Sequence, residues 1–381
     1  MIQGVTSKVI SAVMNSNILS GGSGPLGLPT SIPSLFDEFF SPSFVVNDDG
    51  TTTYDPQADR PTTSTVKWVD PENGDNGNTG DSRAQAYADI ATAELNGADH
   101  IMLVQGEYYD GHGTFNGTLG YNPTSDSILE AADGPGTAIL FRGRLGDFFT
   151  WNDEGSNTYS TTRNVVSTIV DRTYTRNDET LLDGVTEVPI KYLEETSIVN
   201  VQATPGSWFE TGGTLYIHTH DGREPDADVY VILSVDQIDV QNDVYVYTEG
   251  LELWGSRPVR YLQTGSNTSK YVGVNCGYRY GDFSGVELLD VSEGYFVDCV
   301  ATDNTNDGFA VSSQNGYVAR TTGLIEAGQG YRNGLNTSDD NNNGASVSGT
   351  TSIIVGAGTY IGNKGPNVVC TSSADVYCVN T

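Results

Sequence analysis

Apolar and polar residues alternate in short runs along the last third of the chain, and Gly, Asn, Asp and Ser break each run. Alternation with period two marks strands with one buried face, and the breakers are turn residues. Five runs read as one ladder: YVGVNC from Tyr271, YFVDC from Tyr295, YVART from Tyr317, IIVGA from Ile353 and VYCVN from Val376. Val274, Val297, Ala319, Val355 and Cys378 fall in register, at spacings of 23, 22, 36 and 23 residues. A second ladder, GVELL, GFAV, GASV and NVVC, places Val286, Phe309, Ala345 and Val368 at spacings of 23, 36 and 23. Both stretch by the same 13 residues, so one insertion explains both, with its seat in the loop YRNGLNTSDDNNN.

Two interleaved ladders with a common period describe a coil that climbs one strand spacing per turn, ~4.8 Å. Alternate side chains enter a narrow shared core, and each coil touches only its neighbours. The expected fold is all-β, a parallel β-helix. A β-sandwich would not keep one period in two ladders. Cys276 and Cys299 fall one coil apart on the inward side and are expected as buried free thiols.

Upstream, VKWV from Val66 reads as a strand and SRAQAYADIATAELNG as a helix, with Tyr87, Ile90, Ala91 and Leu95 on one face and Gly97 at its stop. The helix is expected to cap the open end of the solenoid, and DPENGDNGNTGDS to turn the chain into it. HIMLVQGEYYD reads as a strand, and SILEAADGPGTAILFRG as two more. A β insertion is expected at about 143–235, within a solenoid domain over 61–381. Residues 1–60 differ: a short helical stripe at Val5, Val9, Ile10 and Val13, then a Gly/Ser/Pro-rich stretch with Leu35, Phe36, Phe39, Phe40 and Phe44. That segment is too short to bury its own aromatics. It reads as an extended arm that docks on another chain, or as a strip on its own main domain, followed by a polar linker.

Composition narrows the function. With 49 acidic against 18 basic residues the formal charge is −31, which repels phosphate backbones and argues against nucleic-acid partners. No CxxC pair occurs among four cysteines. No basic and apolar leader of the signal-peptide kind is evident, and no run reaches the length of a membrane span.

Three stretches carry a family resemblance. WVDPENGDNGNTGDSRAQAYADIATAELNGADHIMLVQGEYYDG is similar to the strand, polar loop, capping helix and strand that open pectate-lyase-like β-helix proteins, although Asp99, Ile101, Leu103, Gly106 and Tyr108 run one step out of phase with the commonest spelling. GSWFETGGTLYIHTHDGREPD resembles a Trp strand paired with an LY strand that ends in DG-x-x-P. The coils from about residue 244 resemble the repeats. The likeness covers roughly 66–381 and is specific for fold; the fold hosts many activities. An arm followed by a β-helix most resembles the tailspikes and fibres of tailed viruses. The resemblance implies a homotrimeric virion-surface protein, anchored on other virion proteins through residues 1–60 and presenting its solenoid to a host-surface polysaccharide. It equally holds polysaccharide lyases and glycoside hydrolases, here for an acidic glycan. A non-viral surface adhesin is the third reading.

Each reading names residues. A hydrolase needs two opposed carboxylates, and Glu287 and Asp307 begin adjacent second-ladder strands. A lyase of the pectate type needs a base beside an acidic calcium cluster, and Arg279 and Arg320 lie near strand ends. Trp254, Tyr278 and Tyr280 are candidate outward platforms for sugars. Asp70, Asp75 and Asp81 offer closely spaced oxygens to calcium. His218 and His220 share one side of a strand and suit a transition metal. The same acids also make turns and solvated faces, and the same aromatics also pack coil edges.

Overall fold

In the computed structural model, residues 44–46, 52–113, 120–176, 188–262, 269–291 and 293–312 are described, together with 322–326, 329–331, 343–348, 352–355, 359–361, 363, 368–370 and 375–378. The chain forms the parallel β-helix that its periodicity predicts, right-handed as the family resemblance implies. Among the described residues, three parallel sheets line its sides. The first runs from Val66–Val69 to Asp375–Cys378 in nine strands. The second runs from Gly106–Tyr108 to Thr359–Ile361 in seven. The third runs from Ile238–Val240 to Val368–Cys370 in six.

Each rung follows from alternation. In Val286–Leu289, Val286 and Leu288 are buried, and Glu287 and Leu289 are less so. Val259, Val286, Phe309, Ala345 and Val368 stack in register, which bears out the second ladder. Cys276 and Cys299 are buried free thiols, as expected.

The first ladder needs one correction. The strand opposite Glu293–Val297 is Thr322–Glu326, not YVART, and Val297 pairs with Glu326. Ile325 then pairs with Val355. The extra residues are therefore divided between both sides of this strand instead of sitting in one loop. YVART and TGLIE alternate equally well, and period arithmetic alone cannot rank them.

The capping helix is shorter than predicted. Only Ile90–Leu95 is α-helical (α1), with the Asp89 carboxylate accepting from the Thr92 amide. Tyr87 is extended and bridges Val69 instead of joining a helix face. Ile90, Ala91 and Ala93 face the core, and Leu95 is left exposed.

Between Gly143 and Leu233 the chain leaves the solenoid for two small, mostly antiparallel sheets of five and four strands. The four-stranded sheet lies on the outside of the second solenoid sheet. There Val170, Tyr230 and Ile232 pack with Phe141, Trp254 and Tyr280. The arm's aromatics up to Phe40 lie outside the described residues; Phe44–Val46 pairs with Thr52–Tyr54 as a hairpin.

Candidate functional site

The corner where the second sheet turns into the third carries the most open chemistry. Asp239, Arg260 and Glu287 stack on three successive coils, because each alternates outward from its strand. Arg257, in the turn before Val259–Leu262, reaches both neighbours. Its Nη1 lies 3.6 Å from Asp236 Oδ2 and its Nε 3.1 Å from Glu287 Oε2. Arg260 Nη1 lies 3.4 Å from Asp239 Oδ1. Ser256 Oγ donates to Asp236 Oδ1 at 3.2 Å, and Ser234 Oγ to Asp282 Oδ2 at 2.7 Å.

Of these, Ser234, Asp236, Asp239, Ser256 and Arg257 border a cavity of about 220 Å³, together with Gly120, Val235 and Phe283. Gly120 is required by its position: a Cβ there would lie 2.3 Å from the Asp236 carbonyl oxygen. Phe283 is 46 % exposed and stacks on the Arg257 guanidinium at 4.2 Å. Burial pushes the Asp236 carboxyl above its ordinary range, against the opposing pull of Arg257 and Arg260. One coil further, Lys191 from the insertion donates to Asp303 O at 3.5 Å and Thr305 Oγ1 at 3.3 Å, and burial lowers its pKa. The cavity thus offers an aromatic face, one guanidinium, two hydroxyls and two carboxyls, of which burial raises the pKa of Asp236.

Of the residues singled out from sequence, Glu287 alone reaches this region, through its ion pair with Arg257. Asp307 is buried, and its carboxylate accepts from Asn343 N at 2.7 Å, Asn343 Nδ2 at 3.0 Å and Ser346 Oγ at 2.6 Å. It anchors the next coil, and the carboxylate beside Glu287 is Asp236. Arg279 is sealed in a two-pronged ion pair with Glu252, so it has no path to a substrate proton. Arg320 lies outside the described residues.

The expected platforms are not at the surface. Trp254 is packed edge-on between Tyr230 and Tyr280 and donates to Glu252 Oε2 at 3.0 Å. Tyr278 faces inward against Phe296 and Phe309. Tyr280 adopts φ 61°, which swings its ring under the insertion, where its hydroxyl donates to Pro189 O at 2.8 Å. The insertion covers what would otherwise be an outer wall, a long-range contact that no local pattern announces.

Nor are the acids of the first loop gathered around one point. Asp70 Oδ1 accepts from the amides of Glu72 and Asn73, Asp75 Oδ1 from that of Gly77, and Asp81 pairs with Lys67 at 2.6 Å. Asp70 and Asp75 close their own turns, and Asp81 ties the loop to the first strand. His218 Nδ1 contacts Val201 O at 2.9 Å, whereas the His220 ring packs on Tyr174 and Tyr192. Among the described residues no group of three or more His, Cys, Asp or Glu is arranged to hold a metal ion. Sequence reading missed Asp236, Arg257 and Phe283. Phe283 had a signal: a lone phenylalanine inside the turn GDFSG has no strand to bury it.

No protein-family model and no curated protein matches the chain. Among solved structures it is similar to the complex of XylC with xylose, at TM-score 0.51 and 9 % identity, over 82 % of this chain and 63 % of that one. It is also similar to pectate lyase Pel9A (TM-score 0.38, 14 % identity, 78 % and 63 % covered). A third is the tailspike protein gp49 from Pseudomonas phage LKA1 (TM-score 0.22, 13 % identity, 79 % and 59 % covered). The chain spans less than two thirds of the length of each. What the likeness to XylC shows is a shared fold, here a parallel β-helix. At such identities the likeness speaks for fold alone.

Proposed function

We propose that this chain is a glycan-recognising β-helix protein displayed on a surface, in the manner of a tailspike or fibre, and that the corner cleft is its sugar contact. One observation carries the reading: the exposed Phe283 ring, braced by Arg257, stands at a cavity rimmed with hydroxyls and carboxyls. An aromatic face stacks on the C–H face of a sugar, and fixed acceptors and donors select its hydroxyls. Asp236 and Asp239 line the cavity beside the single guanidinium of Arg257, so the cleft favours a neutral or amino-bearing sugar over a uronate. The virion setting rests on the order of arm and solenoid. In that setting residues 1–60 anchor the chain to other virion proteins, three copies assemble, and the solenoid faces the host.

The test is binding of neutral, amino-bearing and acidic oligosaccharides by the full chain and its Phe283→Ala variant, followed by calorimetry. Tight binding of a neutral or amino-bearing glycan that weakens at least tenfold in the variant supports the reading. Binding that ignores Phe283 rejects the cleft.

A second reading has its own observation. Burial raises the pKa of the Asp236 carboxyl, while Glu287 pairs with Arg257 at 3.1 Å, the contrast of environments that the two carboxyls of a hydrolase need. Release of reducing ends from a bound glycan, abolished by Asp236→Asn, would favour it. The sealed pair with Glu252 weighs against a lyase that uses Arg279 as base.

A further inference from the structure

The outer face of the first sheet is occupied by this chain's own residues 55–60, which the sequence presents as a polar linker. Glu130 and Glu249 are direct partners on neighbouring strands. Like charges so placed repel. The Arg60 guanidinium bridges them: it contacts Glu130 and lies 3.8 Å from Glu249 Oε2, and it stands 4.9 Å over the Tyr247 ring. Gln57 Nε2 adds bonds to Tyr247 Oη at 3.2 Å and Glu249 Oε2 at 3.0 Å. On the next strand Lys270 pairs with Asp59, and its Nζ lies 4.9 and 5.0 Å from the Tyr245 and Tyr295 rings.

The segment is held almost entirely by side chains. None of residues 55–60 is buried, and none joins the sheet as a strand. What the face specifies is a charge pattern, a cation between two carboxylates over a tyrosine and an acid one step away on a lysine. The contact covers Tyr247 but lies outside the solenoid core, and a segment without strand pairing opens more readily than a rung. Without its occupant the face keeps Glu130, Glu249 and Glu293 against Lys270, an acidic, tyrosine-lined strip. We propose that this strip is a docking surface for an extended polypeptide segment carrying an arginine, and that residues 55–60 fill it in place of such a partner. The inference is independent of the glycan reading, which concerns a different side of the solenoid.

The probe is a fluorescent synthetic peptide with the sequence of residues 54–62, added to the full chain. Asp59→Ala with Arg60→Ala vacates the strip without touching a buried residue. The peptide is expected to bind this variant saturably and at least tenfold tighter than the wild type, whose own segment competes. Adding Glu130→Gln and Glu249→Gln should weaken binding at least tenfold. Absence of saturable binding to a variant that melts like the wild type overturns the proposal, as does binding that ignores the two glutamates. Wild-type protein gives an independent readout: saturating peptide should raise amide hydrogen exchange in residues 55–60, and unchanged exchange there also overturns it.

Discussion

The Arg279 guanidinium is gripped by Glu252 of the neighbouring coil, Nε and Nη2 lying 2.7 and 3.0 Å from its two carboxylate oxygens, with neither side chain more than 3 % exposed. The insertion sheet packs on Trp254 and Tyr280 beside this pair, and the two charges pair with each other in place of water. Glu252→Ala would strand a buried guanidinium and is expected to cost about 3–5 kcal/mol in urea unfolding. Replacing both partners by leucine should cost less than the single change. Equal losses would show that the pair does not act as a unit.

Phe283 makes the opposite case. Its ring is largely outside the core, so Phe283→Ala should change stability by no more than about 0.5 kcal/mol. Glycan affinity should fall at least tenfold in the same protein. A melting curve and a titration on one preparation separate the two effects.

Glu94 on α1 sets a pH dependence. Burial raises its carboxyl from 4.5 to about 7. The folded chain therefore holds this proton where the unfolded chain has lost it. Its contribution is complete below about pH 4.5 and falls away as pH rises through about 7, by up to about 3 kcal/mol at ~1.4 kcal/mol per unit. Glu94→Gln should flatten that slope and stabilise the protein at pH 8, as read from chemical denaturation across pH 4–8. A slope that survives the substitution assigns it to another group.

Gly74 tests the first loop. A Cβ at this position would sit 2.1 Å from the Tyr87 carbonyl oxygen and 2.4 Å from that of Asp70. Gly74→Ala must push the loop off the strand that Tyr87 bridges, at a cost of about 1–3 kcal/mol. Gly97→Ala is the contrast in space: nothing lies within 4 Å of its added Cβ, although its φ of +74° adds strain. A lower melting temperature for Gly74→Ala than for Gly97→Ala is the expected order.

The period near 23 was written in residues such as Val286, Phe309 and Val368, because a solenoid core admits only alternate side chains from each strand. That repetition fixed the fold class, the stacked thiols of Cys276 and Cys299 and most rungs. It failed at YVART, where two stretches carry the same alternation and only hydrogen-bonded pairing with both neighbours chooses between them. Site chemistry was less legible. Tyr278 and Tyr280 were both expected near the surface; one points into the core and the other is roofed by an insertion strand about 90 residues away in sequence. Asp236 and Glu287 meet only through Arg257, across a corner that the coil's climb builds. The sequence by itself determined which residues repeat, since burial along a strand is local and periodic. Only the tertiary structure decided which outward residues meet solvent, because that depends on what the insertion and residues 55–60 come back to cover.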